Sequence, residues 1–126
     1  MARQVRVLNT TRGTMLAERA DVADSFWSRG RGLLGRAALK PGQGLVIVPA
    51  RAVHCIGMAF PIDVLHLDHQ GRVLRVVPNL RPYRFGPLVW RSHYVVELPA
   101  GSTLAAMTSP GDVVALQPIL SSLTKA

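Results

Sequence analysis

Sixteen residues, VHCIGMAFPIDVLHLD from Val53 to Asp68, set a histidine, a methionine and an aspartate into an otherwise apolar, strand-like run. In an extended chain successive side chains alternate faces, so His54, Ile56 and Met58 share one face while Cys55 shows the other. His54 and Cys55 therefore do not readily chelate one metal together. Pro61 pushes Phe60 extended, and the chain re-enters a strand at Asp63. A buried carboxylate among Ile62, Val64 and Leu65 must either take a raised pKa or find a cationic or hydrogen-bonding partner. The candidate partners are Arg31, Arg36, Arg51 and His54.

Two arrangements satisfy that chemistry. In one, Asp63 accepts backbone N–H bonds and fixes a turn, and His54 is a hydrogen-bonded core residue. In the other, His54 and Asp63 face each other at the mouth of a barrel or sandwich, where the carboxylate orients the imidazole for proton transfer near neutral pH. Arg31, Arg51, Arg81 or Arg84 would then hold an anionic ligand group through bidentate hydrogen bonds. Glu97, the other acid on an apolar strand, either completes the site or pairs with an arginine, and structural pairing is the expectation. The candidate binding set is thus Arg31, Arg51, His54, Met58, Asp63, Arg81, Arg84 and Glu97, with His54 and Asp63 as the acid–base pair.

Other chemistries find less support. Cys55 lies in an apolar strand without a neighbouring lysine, and no serine occupies a nucleophile elbow, so covalent catalysis is not expected. His54, His66, His69 and His93 form no metal-ligand spacing, and neither a metal nor a cofactor is expected. The glycines of GRGLLGR open no long helix after a strand, which makes a poor phosphate loop. Trp27 and Trp90 could stack a ligand ring, but aromatic residues among apolar neighbours more often fill a core.

The elements that must position these residues are short. Arg3 to Leu8, the turn residues Asn9 to Gly13, and Thr14 to Ala20 read as a hairpin. Asp21 and Asp24 supply acceptors for a helix start, and Phe26, Trp27 and Leu33 or Leu34 could face a core from one short helix that Gly30, Gly32 and Gly35 interrupt. Strands follow at Leu45 to Val48, Ala52 to Ile56, Ile62 to Asp68, Arg72 to Val77, Tyr94 to Leu98 and Val113 to Leu116, with a turn at Asp68 to Gly71 and a helical turn or two from Ser102 to Met107. Three prolines between Pro78 and Pro87 predict an irregular loop. The pattern is that of a mainly β protein, a compact antiparallel barrel or jelly-roll-like sandwich with one or two short helices.

The chain's 126 residues suit a single domain able to bury about two-thirds of its unfolded surface. With 48% hydrophobic and 17% charged residues it has the composition of a globular protein, and its one cysteine excludes an intrachain disulfide. No signal peptide or membrane span is expected, which leaves the cytoplasm as the default location. The net charge of +8 attracts anions, yet thirteen of the fifteen basic residues are arginines scattered from Arg3 to Arg91. A diffuse solvated surface is the ordinary explanation, and net charge without a patch or motif does not make a nucleic-acid binder.

Five ordered segments carry a family resemblance: RGRGLLGR (Arg29 to Arg36), VHCIGMAFPIDVLHLD, GRVLRVVPNLRPYR (Gly71 to Arg84), VVELPAGS (Val95 to Ser102) and PGDVVAL (Pro110 to Leu116). Together they resemble the small prokaryotic domain-of-unknown-function family 192 over roughly Val5 to Leu116, leaving 117–126 as a tail. The resemblance implies an all-β barrel or jelly-roll-like sandwich with a short helix, and it implies no activity, catalytic residue or cofactor. The expected function is a ligand- or partner-binding module with a polar pocket around His54 and Asp63 and an anionic small-molecule ligand. The alternatives are a small hydrolase or lyase using histidine–aspartate acid–base chemistry, and nucleic-acid binding through the basic surface.

Overall fold

The computed structural model describes residues 3–24, 39–52, 60–82 and 84–119. Seven strands form one sheet: β1 (Gln4–Asn9), β2 (Thr14–Ala23), β3 (Gln43–Ile47), β4 (Ile62–Leu67), β5 (Val73–Leu80), β6 (Tyr94–Pro99) and β7 (Val114–Pro118). Their spatial order is β5-β4-β6-β3-β2-β1-β7. The sheet curls until its two edge strands approach at a single bridge, Arg72 with Val113. There the Val73 N–H donates to the Asp112 carbonyl at 2.8 Å, and the Val114 N–H to the Gly71 carbonyl at 2.8 Å. The expected barrel-like, mainly β fold is therefore present as a curled half-barrel.

Most pairings are antiparallel, but β2 and β3 run parallel, with Asp21 opposite Leu45. The N-terminal hairpin forms as the turn residues at Asn9 to Gly13 require, and β2 continues three residues past Ala20. Asp21 consequently lies inside a strand, where it accepts a hydrogen bond from the Gln4 side chain at 2.9 Å, instead of opening a helix. The helix expected from Phe26 onward falls on residues 25–38, outside the described residues.

The irregular loop expected from Pro78 also needs correction, since β5 runs through Pro78 to Leu80. Pro78 is tolerated because β5 is an edge strand, where a missing N–H need not break a ladder. The register shift between Ile62 and Val64, which sets two steps of β4 against three of β5 from Val77 to Leu80, puts a bulge in β5 at Pro78 and Asn79. Asn79 takes a left-handed φ of 53° there.

The sheet carries two cores. The concave side is filled by residues from every strand, among them Val7, Ala20, Val46, Leu65, Val73, Val96 and Val114. On the other face Leu45, Ile62, Val64 and Val95 pack with Leu39 and Phe60. β4 is buried at all six positions because both of its faces are covered. Among the described residues no helix is long and apolar enough to cross a membrane.

Candidate functional site

Register decides which acids can meet. Asp63 pairs with Leu98 and Val64 with Glu97, so alternation sends Asp63 to the concave side and Glu97 to the opposite face. The two carboxylates do not share a site.

Asp63 is buried, and both its oxygens are engaged by the fold. Oδ1 accepts the Asn79 N–H at 2.9 Å, the donor that the bulge withdraws from the ladder. Oδ2 accepts from the Gly101 N–H at 3.1 Å, the Thr103 N–H at 2.9 Å and the Thr103 hydroxyl at 2.7 Å. The helix α1 (Ser102–Ala105) begins at Gly101, which lies at φ 94° and has no side chain to cap it. Asp63 supplies that cap from across the sheet. Among the described residues its partners are thus backbone groups and Thr103, and none is an arginine.

Glu97 sits among Leu45, Val64 and Val95, with 3% of its surface exposed. The arginine pairing expected for it does not form at Oε1, which is buried without a hydrogen-bond partner. Desolvation pushes its carboxyl up to about 7. Two residues along the ladder on the same face lies His66, which is fully buried. Such diagonal neighbours have Cβ atoms about 7 Å apart. The Ser92 hydroxyl directs its single proton at carbonyls, Ala50 at 2.7 Å and Tyr94 at 3.3 Å, so at 3.2 Å it accepts from His66 Nδ1. That fixes the tautomer and leaves Nε2 an acceptor, which has no partner. Burial, and then the Arg75 charge directly across on β5, lower the imidazole to about 4.

Ser92 also lines a surface cleft of about 660 Å³ together with Pro49, Ala50, Arg51, His69, Trp90, Arg91 and His93. The cleft is built by two segments zipped together: the Ala50 N–H donates to the His93 carbonyl, and the Val89 N–H to the Arg51 carbonyl, each at 2.9 Å. The His69 and His93 rings stack with centroids 3.8 Å apart. The Arg51 guanidinium lies over the Trp90 ring at 5.9 Å, within cation–π range. Trp90 is 71% exposed, so it is a surface ring and not the core residue expected from its apolar neighbours. None of the described lining residues is a carboxylate.

Among the described residues of the candidate binding set, only Arg51 lines this cleft, together with Trp90, the ring considered for stacking. Arg81 and Arg84 are exposed on the connection after β5. Arg31, His54 and Met58 lie outside the described residues. Sequence reasoning missed His66, His69, Arg91, Ser92 and His93 as a group. The tripeptide Trp90-Arg91-Ser92 before a strand was the available signal. Among the described residues no cluster of three or more metal-ligating side chains occurs.

Comparison with known proteins agrees with this architecture. A UPF0127 protein of Thermococcus sibiricus is 30% identical over 103 residues, covering 75% of this chain, and the chain spans only 64% of that relative's length. Among solved structures, a candidate transcription regulator from Sinorhizobium meliloti 1021 matches with a TM-score of 0.75 at 22% identity, covering 92% of this chain and 94% of that one. A protein of unknown function from Novosphingobium aromaticivorans matches with a TM-score of 0.76 at 23% identity, covering 89% and 83%. At these identities the two structures show a common fold. The family described as Uncharacterized ACR, domain-of-unknown-function family 192, matches residues 7–116, and the chain belongs to it.

Proposed function

We propose that the protein is a ligand-binding module whose cleft beside Trp90 takes an anionic small molecule. The observation that carries this reading is the lining itself: Arg51, Arg91, His69 and His93 converge with an exposed indole and no described carboxylate opposes them. Two guanidiniums offer paired donors to a phosphate or carboxylate, and an exposed ring adds a stacking surface. Asp63 has its acceptors occupied by α1 and the β5 bulge, which favours the cleft over a pocket centred on that residue.

The test is a titration with inorganic pyrophosphate at low salt, followed by NMR of the histidine ring protons. Saturable shifts at His69 and His93, weakened about tenfold by Arg51→Gln, are expected for one charged hydrogen bond of about 1.5 kcal/mol. Absence of saturable shifts would sink the reading.

Acid–base catalysis is the second reading, favoured by one observation. Ser92 connects the cleft to His66, and His66 shares its face with Glu97, whose carboxyl is poised near 7. A pH–rate profile that loses its upper limb in Glu97→Gln would support it over simple binding.

A further inference from the structure

We infer that the anion-binding surface continues across Trp90 and fits a single strand of nucleic acid. This rests on the anionic-ligand reading and extends it to a partner. A second hollow, of about 410 Å³, lies beside the first and is lined by Leu74, Arg75, Leu88, Val89, Trp90 and Arg91. Trp90 and Arg91 belong to both hollows, so the indole stands as a ridge between them. Arg51 flanks it on one side and Arg75 on the other.

A ring with a cation on each side is the repeat that an unpaired strand presents in complement: bases with open π-faces and a phosphate between each pair. Trp90 offers the face that Arg51 does not cover to a base regardless of the base's identity, and Leu88, 53% exposed, adds an apolar wall in the second hollow. A free nucleotide would use one hollow and leave the other's arginine idle. A duplex keeps its bases stacked inside, where their faces are closed to an indole. The net charge of +8 draws a polyanion to this surface from a distance.

The experiment measures fluorescence anisotropy of labelled thymidine oligonucleotides of two, four and eight residues against thymidine monophosphate and a duplex competitor. The four-residue strand should bind at least tenfold more tightly than the monophosphate, and the duplex should compete poorly. Three contacted phosphates at about 0.7 counterions each predict affinity about 20-fold weaker at 200 mM than at 50 mM salt. Trp90→Ala should weaken the strand tenfold or more, as loss of one stacked base does. Arg75→Gln should bring strand affinity toward that of the monophosphate, whereas Arg6→Gln, exposed on β1, should change it less than twofold. Equal affinity for strand and monophosphate would overturn this inference and leave the small-anion reading standing. Tighter binding of the duplex, or equal losses from Arg6→Gln and Arg75→Gln, would overturn it in favour of groove binding or diffuse charge. If neither pyrophosphate nor any oligonucleotide binds, both readings fall.

Discussion

Asp63 and Thr103, forty positions apart in the chain, are joined by two hydrogen bonds to one carboxylate oxygen, one from the Thr103 amide at 2.9 Å and one from its hydroxyl at 2.7 Å. This contact ties the central strand β4 to the start of α1, and the Asn79 bond ties the same side chain to the edge strand. Asp63→Ala would strand three backbone N–H donors, two of them beside a helix start. The expected loss is about 3–5 kcal/mol in urea unfolding, the range for removing one partner from a buried charged network. Asp63→Asn keeps the acceptor at one oxygen and should lose less. Equal, small losses from both would refute the capping role.

Glu97 and His66 pull stability in opposite directions with pH. The Glu97 carboxyl rises from 4.5 to about 7 on folding, so its contribution is complete below 4.5 and is lost as pH climbs through 7, about 3 kcal/mol in all. The His66 imidazole falls from 6.5 to about 4, so the folded state is favoured above 6.5 and loses about 3 kcal/mol as pH drops toward 4. Between 4.5 and 6.5 the two contributions cancel. Wild-type stability should therefore vary little with pH there, while Glu97→Gln gains stability as pH rises and His66→Gln loses it. Chemical denaturation at five pH values checks all three curves, and parallel slopes in the two variants would refute the assignment.

Gly71 lies at φ 82°, and a β-carbon placed on it would run into the Val114 carbonyl oxygen. That oxygen belongs to the strand whose amide Gly71 itself receives at the closing bridge. Gly71→Ala should cost about 3 kcal/mol or more, through both left-handed strain and a backbone clash. Gly13, at φ 69°, faces open space, so Gly13→Ala should cost about 1 kcal/mol. Thermal melts of the pair separate the steric cost from the conformational one.

Asp112 accepts from the Asn9 side chain at 3.0 Å, the Ser109 N–H at 3.0 Å and the Arg12 guanidinium at 3.1 Å. These bonds, led by Asn9, hold its carboxyl below the usual carboxylate range. The folded pKa is lower than the unfolded one, so this support is intact above the unfolded value and disappears as pH falls through the folded one. Asp112→Asn should flatten the acid limb of the stability curve below pH 4. An unchanged acid limb would exclude Asp112 as its source.

Much of the fold is written locally. The turn chemistry at Asn9 to Gly13 and Asp68 to Gly71 places two hairpins, and short apolar runs rich in β-branched residues place β4 and β6. The exceptions have long-range causes. Pro78 reads as a breaker until β5 is known to be an edge strand with a bulge, and Asp21 reads as a helix cap until β3 is known to pair beside β2. The site is less legible for the same reason. Alternation puts His66 on the face of Ile62 and Val64, but that this face is covered, and that Glu97 lies diagonally across it, depends on β4 finding β6. Trp90 is classed by its apolar neighbours, whereas its exposure comes from the zipped segments around Arg51.

The lone bridge at Arg72 and Val113 leaves a lateral seam in the curled sheet. β5 and β7 run away from it in opposite directions, and among the described residues no further strand pairs with their outer rims. An extended segment of another molecule would seek those rims. Pro78 in one and Pro118 in the other deny it amide donors, and the left-handed turn at Asn79 bends the first rim out of line. Prolines at these two positions oppose strand addition, and replacing both should raise concentration-dependent self-association in sedimentation.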